Sequence, residues 1–80
     1  MVGRVSSRKE LPFGQTLRRV RKAAGLSQEQ LALEASVQRN FISLIETGRN
    51  QPTLGTISKL ARALGMKASE LVAEAERSVP

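Results

Sequence analysis

Four polar side chains crowd residues 38–43 of this 80-residue sequence: Gln38, Arg39, Asn40 and Ser43. Their chemistry is recognition rather than bond making. An arginine fork can donate paired hydrogen bonds to guanine O6 and N7, and an asparagine amide can pair with adenine N6 and N7. Gln38 can read a base or hold a phosphate. Ser43 follows Asn40 by three residues and so shares its face of a helix. Leu44 has two readings: an exposed leucine that packs on a thymine methyl, or half-buried packing. Phe41 fits the edge of a core better than a wedge between bases. The plain alternative for the whole group is a set of polar side chains that simply face water.

Such side chains read nothing unless a rigid element aims them. The stretch Gln28 to Thr47, QEQLALEASVQRNFISLIET, supplies one. Leu31 and Ala35 are four apart and share one face of a first helix. Ile42 and Ile45 are three apart and share one face of a second, over Gln38 to Glu46. Val37 falls between them and can plug their angle, and Ala32 is small where two helices approach. With these six pointing inward, Gln38, Arg39, Asn40, Ser43 and Leu44 are left facing out. At the edges of that face, Gln28, Arg49, Asn50, Thr53 and the loop amides are candidates for phosphate contacts, which orient a reading helix without reading sequence. Arg18 and Lys22 can help at longer range. Each alone is more often a solvated surface group.

This register of apolar positions, small residue and turn resembles the helix-turn-helix of the Cro/phage-repressor (Xre-type) family of DNA-binding proteins. The resemblance runs from about Phe13 to Ala75. It implies an all-α fold: a compact five-helix, lambda-repressor-like DNA-binding domain. It also implies a sequence-specific regulator of transcription on double-stranded DNA. Small phage repressors, restriction–modification controller proteins and antitoxin-type regulators all share this look. In the family, a Gln at the place of Gln28 contacts a phosphate and braces a side chain of the reading helix. An Arg and a Glu at the places of Arg21 and Glu46 form a partly buried ion pair; the alternative is two independent surface charges. Ser36 departs from the family's usual Gly at the turn. A serine held at positive φ costs about 1 kcal/mol.

The rest of the chain divides accordingly. Residues 1–11 read as a basic N-terminal arm, which either follows DNA or frays. Residues 12–77 form the helix-turn-helix domain, and 78–80 a short tail. Pro12 suits a first helical turn. Phe13, Leu17, Val20 and Ala24 then make an apolar stripe, and Gly25 ends the helix with Leu26 folding back. Ser27 and Gln30 have capping-box spacing. Thr47–Gly48 stops the reading helix. Thr53 caps a fourth helix with a stripe of Leu54, Ile57, Leu60, Ala61 and Leu64, which Gly65 ends. Ala68 to Arg77 makes a fifth. Met66, Leu71 and Val72 are candidates for a homodimer surface; alternatively they complete the monomer core.

Composition narrows the function class. The chain has no Cys, His or Asp, and its seven acids are all Glu. Thiolate chemistry and the commonest zinc ligands and general base are therefore missing, which disfavours an enzyme and a metal or other cofactor. The formal charge is +6, and residues 1–22 hold seven Lys/Arg against one Glu, while the remainder balances six against six. One basic end favours a polyanion. Two Phe and no Trp or Tyr disfavour a single-strand binder that stacks bases. No apolar run approaches a membrane span and no signal-peptide core follows Met1, so a cytoplasmic location is expected. No small-molecule effector is expected. The rival from another class is a protein-interaction module, such as an antitoxin whose main partner is a protein.

Overall fold

Side-chain caps open two of the helices, and residues of left-handed backbone follow four of them. In the computed structural model, which describes residues 13–77, five helices follow in order. They are α1 (Phe13–Ala23), α2 (Gln28–Ala35), α3 (Arg39–Glu46), α4 (Leu54–Ala63) and α5 (Ala68–Arg77), with no strand among the described residues. The proposed arm, Pro12 and the tail lie outside those residues. At the start of α2, the Ser27 hydroxyl accepts from the Gln30 amide at 3.0 Å and the Gln30 side chain accepts from the Ser27 amide at 2.8 Å. That reciprocal pair satisfies two otherwise orphaned donors. Thr53 caps α4 with a single such bond, its hydroxyl accepting from the Thr56 amide at 3.2 Å.

The core collects one face from every helix. Phe13, Leu17, Leu31, Ala32, Ala35, Ile42, Ile45, Leu60, Ala61, Leu71 and Ala75 are buried, with Val20, Leu26, Val37, Phe41, Ile57, Leu64 and Met66 packed around them. α1 lies against α3 and α5, α2 against α3 and α4, and α4 against α5. Two residues depart from the expected stripes. Ala24 is exposed, because α1 ends at Ala23 and the chain loses helical phase there. Leu54 is 79 % exposed, because it is the first residue of α4 and the stripe is buried only further along that helix. Thr16 and Arg21 take buried places on α1 instead.

A surface clasp ties α5 to α1. Glu74 accepts from Arg19 of α1 at 3.3 Å and from Arg77 on its own helix. These hydrogen bonds, Arg77's first, hold the Glu74 carboxyl below its ordinary value. A depressed carboxyl stabilises the fold above the unfolded-chain value, near 4.5, and that contribution fades as pH falls through the folded value. Thermal melting below pH 4.5 should therefore fall less steeply for Glu74→Gln than for the parent. Equal acid slopes would show that the clasp contributes nothing.

Candidate nucleic-acid interface

The reading helix is held from behind before any side chain points forward. Ile42 and Ile45 of α3 are 0 % and 1 % exposed, so this face is sealed into the core. On the same side, Gly14 of α1 brings backbone against backbone. A Cβ at Gly14 would stand 2.2 Å from the Ile45 carbonyl oxygen and 3.0 Å from that of Glu46. The turn ahead of α3 is set by Ser36 at φ 60° and ψ 43°, with the Val37 amide reaching back to the Ala32 carbonyl at 2.9 Å. Ser36 thus holds the left-handed conformation that glycine adopts more readily.

The opposite side of α3 carries the reading candidates. Gln38, Arg39 and Asn40 are exposed, and Ser43 and Leu44 are half-buried. Gln38 is the N-cap residue rather than a helical one, and its side chain makes no capping hydrogen bond. Phe41 packs against the core edge.

Behind them runs a chain of polar contacts. Arg21 Nε donates to Glu46 Oε2 at 2.6 Å and Arg21 Nη2 to Glu46 Oε1 at 3.0 Å. The two side chains are only 8 % and 3 % exposed. Arg21 Nη1 also donates to the Leu26 carbonyl at 2.8 Å, which ties the pair to the connection between α1 and α2. The hydrogen bond to Glu46 raises the Arg21 guanidinium further above its ordinary value; burial opposes this, and the charge attraction of Glu46 assists it. From Glu46 the contacts continue outward. Gln28 Nε2 donates to Glu46 Oε1 at 2.9 Å, and Gln28 Oε1 accepts from Arg39 Nη1 at 3.2 Å. Both ends of the Gln28 amide are therefore engaged within the protein.

The flanking loop is committed differently from expectation. The amides of Gly48, Arg49 and Asn50 donate to the carbonyls of Ile45 (3.0 Å), Leu44 (2.8 Å) and Leu44 (3.2 Å). These three amides are spent on finishing α3, so at Arg49 and Asn50 it is the exposed side chains that are left for a phosphate. Thr53 is exposed and its oxygen serves the α4 cap. Arg18 and Lys22 are exposed on α1. Of the three residues expected at a dimer surface, Leu71 is corrected: it is fully buried in the monomer core. Met66 and Val72 are half-buried. A shallow depression along α5 is lined by Met66, Glu70, Ala73, Glu74 and Arg77.

Two features escape sequence reasoning. Gly14 has no side chain to place on a stripe; its signal is an isolated glycine inside a helical pattern, which marks close approach. The Gln28–Glu46 contact joins residues 18 apart with no local signature. Among the described residues no cluster of ligating side chains could hold a metal ion, and no helix is long and apolar enough to cross a membrane.

A two-helix unit whose second member is buried behind and polar in front is the geometry of a helix-turn-helix. The family model described as Helix-turn-helix domain matches residues 12–75, and the chain belongs to that family. Among its relatives, control protein C.BamHI of Bacillus amyloliquefaciens is 40 % identical over 63 residues, covering 78 % of each chain. The immunity repressor of Bacillus phage phi105 is 39 % identical over 64 residues; these are 80 % of this chain but 44 % of that repressor. Of solved structures, the restriction-modification controller protein C.AhdI from Aeromonas hydrophila superposes with a TM-score of 0.74 at 41 % identity, covering 80 % of this chain and 97 % of its own. DNA-binding regulation of transcription is the function this membership carries. The relatives' names lend no support to the antitoxin reading.

Proposed function

We propose that the protein reads a specific double-stranded DNA sequence through the first turn of α3. The observation that supports this most is the exposed group Gln38, Arg39 and Asn40 on a helix whose other face is sealed by Ile42 and Ile45. A rod fixed in this way can enter the major groove with its donor and acceptor tips foremost. Arg39 is assigned to a guanine and Asn40 to an adenine. Gln38 and Ser43 contribute at the rim of that face, and half-buried Leu44 offers its edge to a thymine methyl. The side chains of Arg49, Asn50 and Thr53 grip phosphates on either side.

A single module touches few base pairs, so tight binding calls for two. A homodimer would place its α3 helices roughly 34–36 Å apart on a pseudo-palindrome. Met66, which lines the depression along α5, and half-buried Val72 are the residues proposed to meet the partner, with Leu71 supporting them from within. Control in this reading runs through concentration and dimerisation.

Random-DNA selection at physiological salt, followed by footprinting, tests the proposal. Arg39→Ala should relax one base position by about 1–3 kcal/mol, whereas Arg49→Ala should weaken all sites alike and flatten the salt dependence. Selection that enriches no sequence, with binding that simply tracks salt, would leave only a non-specific polyanion binder.

A further inference from the structure

We infer that Leu54 is a DNA-contacting residue, its side chain packing on the deoxyribose carbons beside the phosphate that Asn50 and Thr53 hold. This rests on the reading above, in which those side chains grip the backbone next to α3. Two large apolar side chains stand in solvent among the described residues, Leu33 at 77 % and Leu54 at 79 % exposure. Their settings are opposite in charge. Leu33 shares a face of α2 with Glu29, four residues before it, and Glu34 follows it directly; both acids are exposed. A polyanion is repelled there. Leu54 opens α4 within residues 47–69, which carry Arg49, Lys59, Arg62 and Lys67 and no acid. All four cations are exposed, so a polyanion is drawn to this side.

Direction and shape favour the same occupant. Side chains on a helix lean toward its N-terminus, so Leu54 tilts toward Thr53 and the loop that carries Arg49 and Asn50. That loop is fastened to the end of α3, where the Arg49 and Asn50 amides both donate to the Leu44 carbonyl. Beside Leu54, Gly55 is exposed, and a Cβ there would meet only the Thr53 hydroxyl oxygen, at 3.8 Å. The fold does not require a glycine at that place, and glycine weakens a helix relative to alanine. Its bare backbone leaves room for a close neighbour from outside. Sugar carbons are alike at every base, so this contact adds affinity and carries no sequence information. It releases water rather than counterions, so its contribution is independent of salt.

Leu54→Ala tests this, with Leu33→Ala as control and the selected duplex as probe. A random-sequence duplex serves equally if selection enriches none, because the sugar edge is common to both. Leu54→Ala should melt like the parent and bind about 3- to 20-fold more weakly at every salt concentration. The slope of log affinity against log salt should stay at the parent's value, and the heat-capacity change on binding should become less negative. The same loss should persist on duplexes with deoxyuridine in place of thymidine. Leu33→Ala should bind as the parent does. Unchanged affinity in Leu54→Ala would overturn the inference. So would a lower melting temperature, which would place the leucine in the protein's own packing. Weaker self-association of the free protein would give the leucine to a second copy, and a loss that vanishes on deoxyuridine duplexes would give it to a thymine methyl; either result overturns the sugar contact. Arg49→Ala separates this inference from the reading beneath it. If Arg49→Ala leaves both affinity and salt slope untouched, the phosphate grip falls and the sugar contact with it. If Arg49→Ala behaves as expected and Leu54→Ala is silent, the sugar contact alone falls.

Discussion

Glu46→Ala should lower stability by about 3–5 kcal/mol, as removing one partner of a buried ion pair generally does. The reason lies in what is left behind. Arg21, with its side chain 8 % exposed, would keep its charge and its bond to the Leu26 carbonyl but lose two of the three hydrogen bonds it makes to Glu46 and Leu26. Domains of this kind have a total stability of only about 5–15 kcal/mol. The melting temperature should therefore drop by roughly 15–30 °C. Removing both charges is a different experiment. Arg21→Met with Glu46→Leu leaves no uncompensated ion, so urea denaturation should return a substantial part of the loss. Recovery stays partial, since the Leu26 carbonyl loses its donor and Gln28 its carboxylate. A single variant that melts like the parent would show that the pair is neither buried nor bonded in solution.

Gly14→Ala should be the second large effect, and its sign opposes helix propensity. At an ordinary helix interior, glycine to alanine stabilises by about 1 kcal/mol. Here the added methyl group would stand 2.2 Å from the Ile45 carbonyl oxygen. Its neighbour is backbone, which cannot swing aside as a flexible side chain does. α1 and α3 must separate, which loosens the contacts of Leu17 and Ile45 in the core. Overpacking of this kind costs about 1–3 kcal/mol, and the backbone neighbour places Gly14→Ala toward the upper end. The melting temperature should fall by roughly 10–20 °C. Since α3 is the element displaced, affinity for a selected DNA site should suffer even at temperatures where the variant stays folded. A variant as stable as the parent, binding with equal affinity, would show that the two helices do not meet there.

What could be read from the sequence was whatever depends on neighbours in the chain. The cap at Ser27 and Gln30 was legible, as were the left-handed glycines 25, 48 and 65 and the limits of α5, because local spacing decides them. The faces of α2 and α3 were legible for the same reason. Periodicity reports which side of a helix is apolar; it does not report how far the neighbouring helix extends. That is why Leu54 fits the stripe of α4 and yet stands in solvent. Nor does it say whether an apolar residue faces its own core or a partner, so Leu71 had two readings and the structure buries it within the monomer. The Arg21–Glu46 pair was visible only through family resemblance, since the two residues are 25 apart. The bracing of a reading-helix side chain by Gln28 was likewise implied by resemblance alone, and the structure makes that side chain Arg39; the link from Gln28 back to Glu46 was not visible, because no motif sets the direction of an amide.

The two faces of α3 do separate jobs. The helix is seated on the side of Ile42, Ile45 and the Gly14 contact, whereas the side chains of Asn40 and Gln38 are exposed. Outward positions are thus free to drift in sequence without unsettling the scaffold, so one mould can serve many operators. Position 39 is tethered through Gln28 to the buried ion pair, which makes it a slower letter of that alphabet to change.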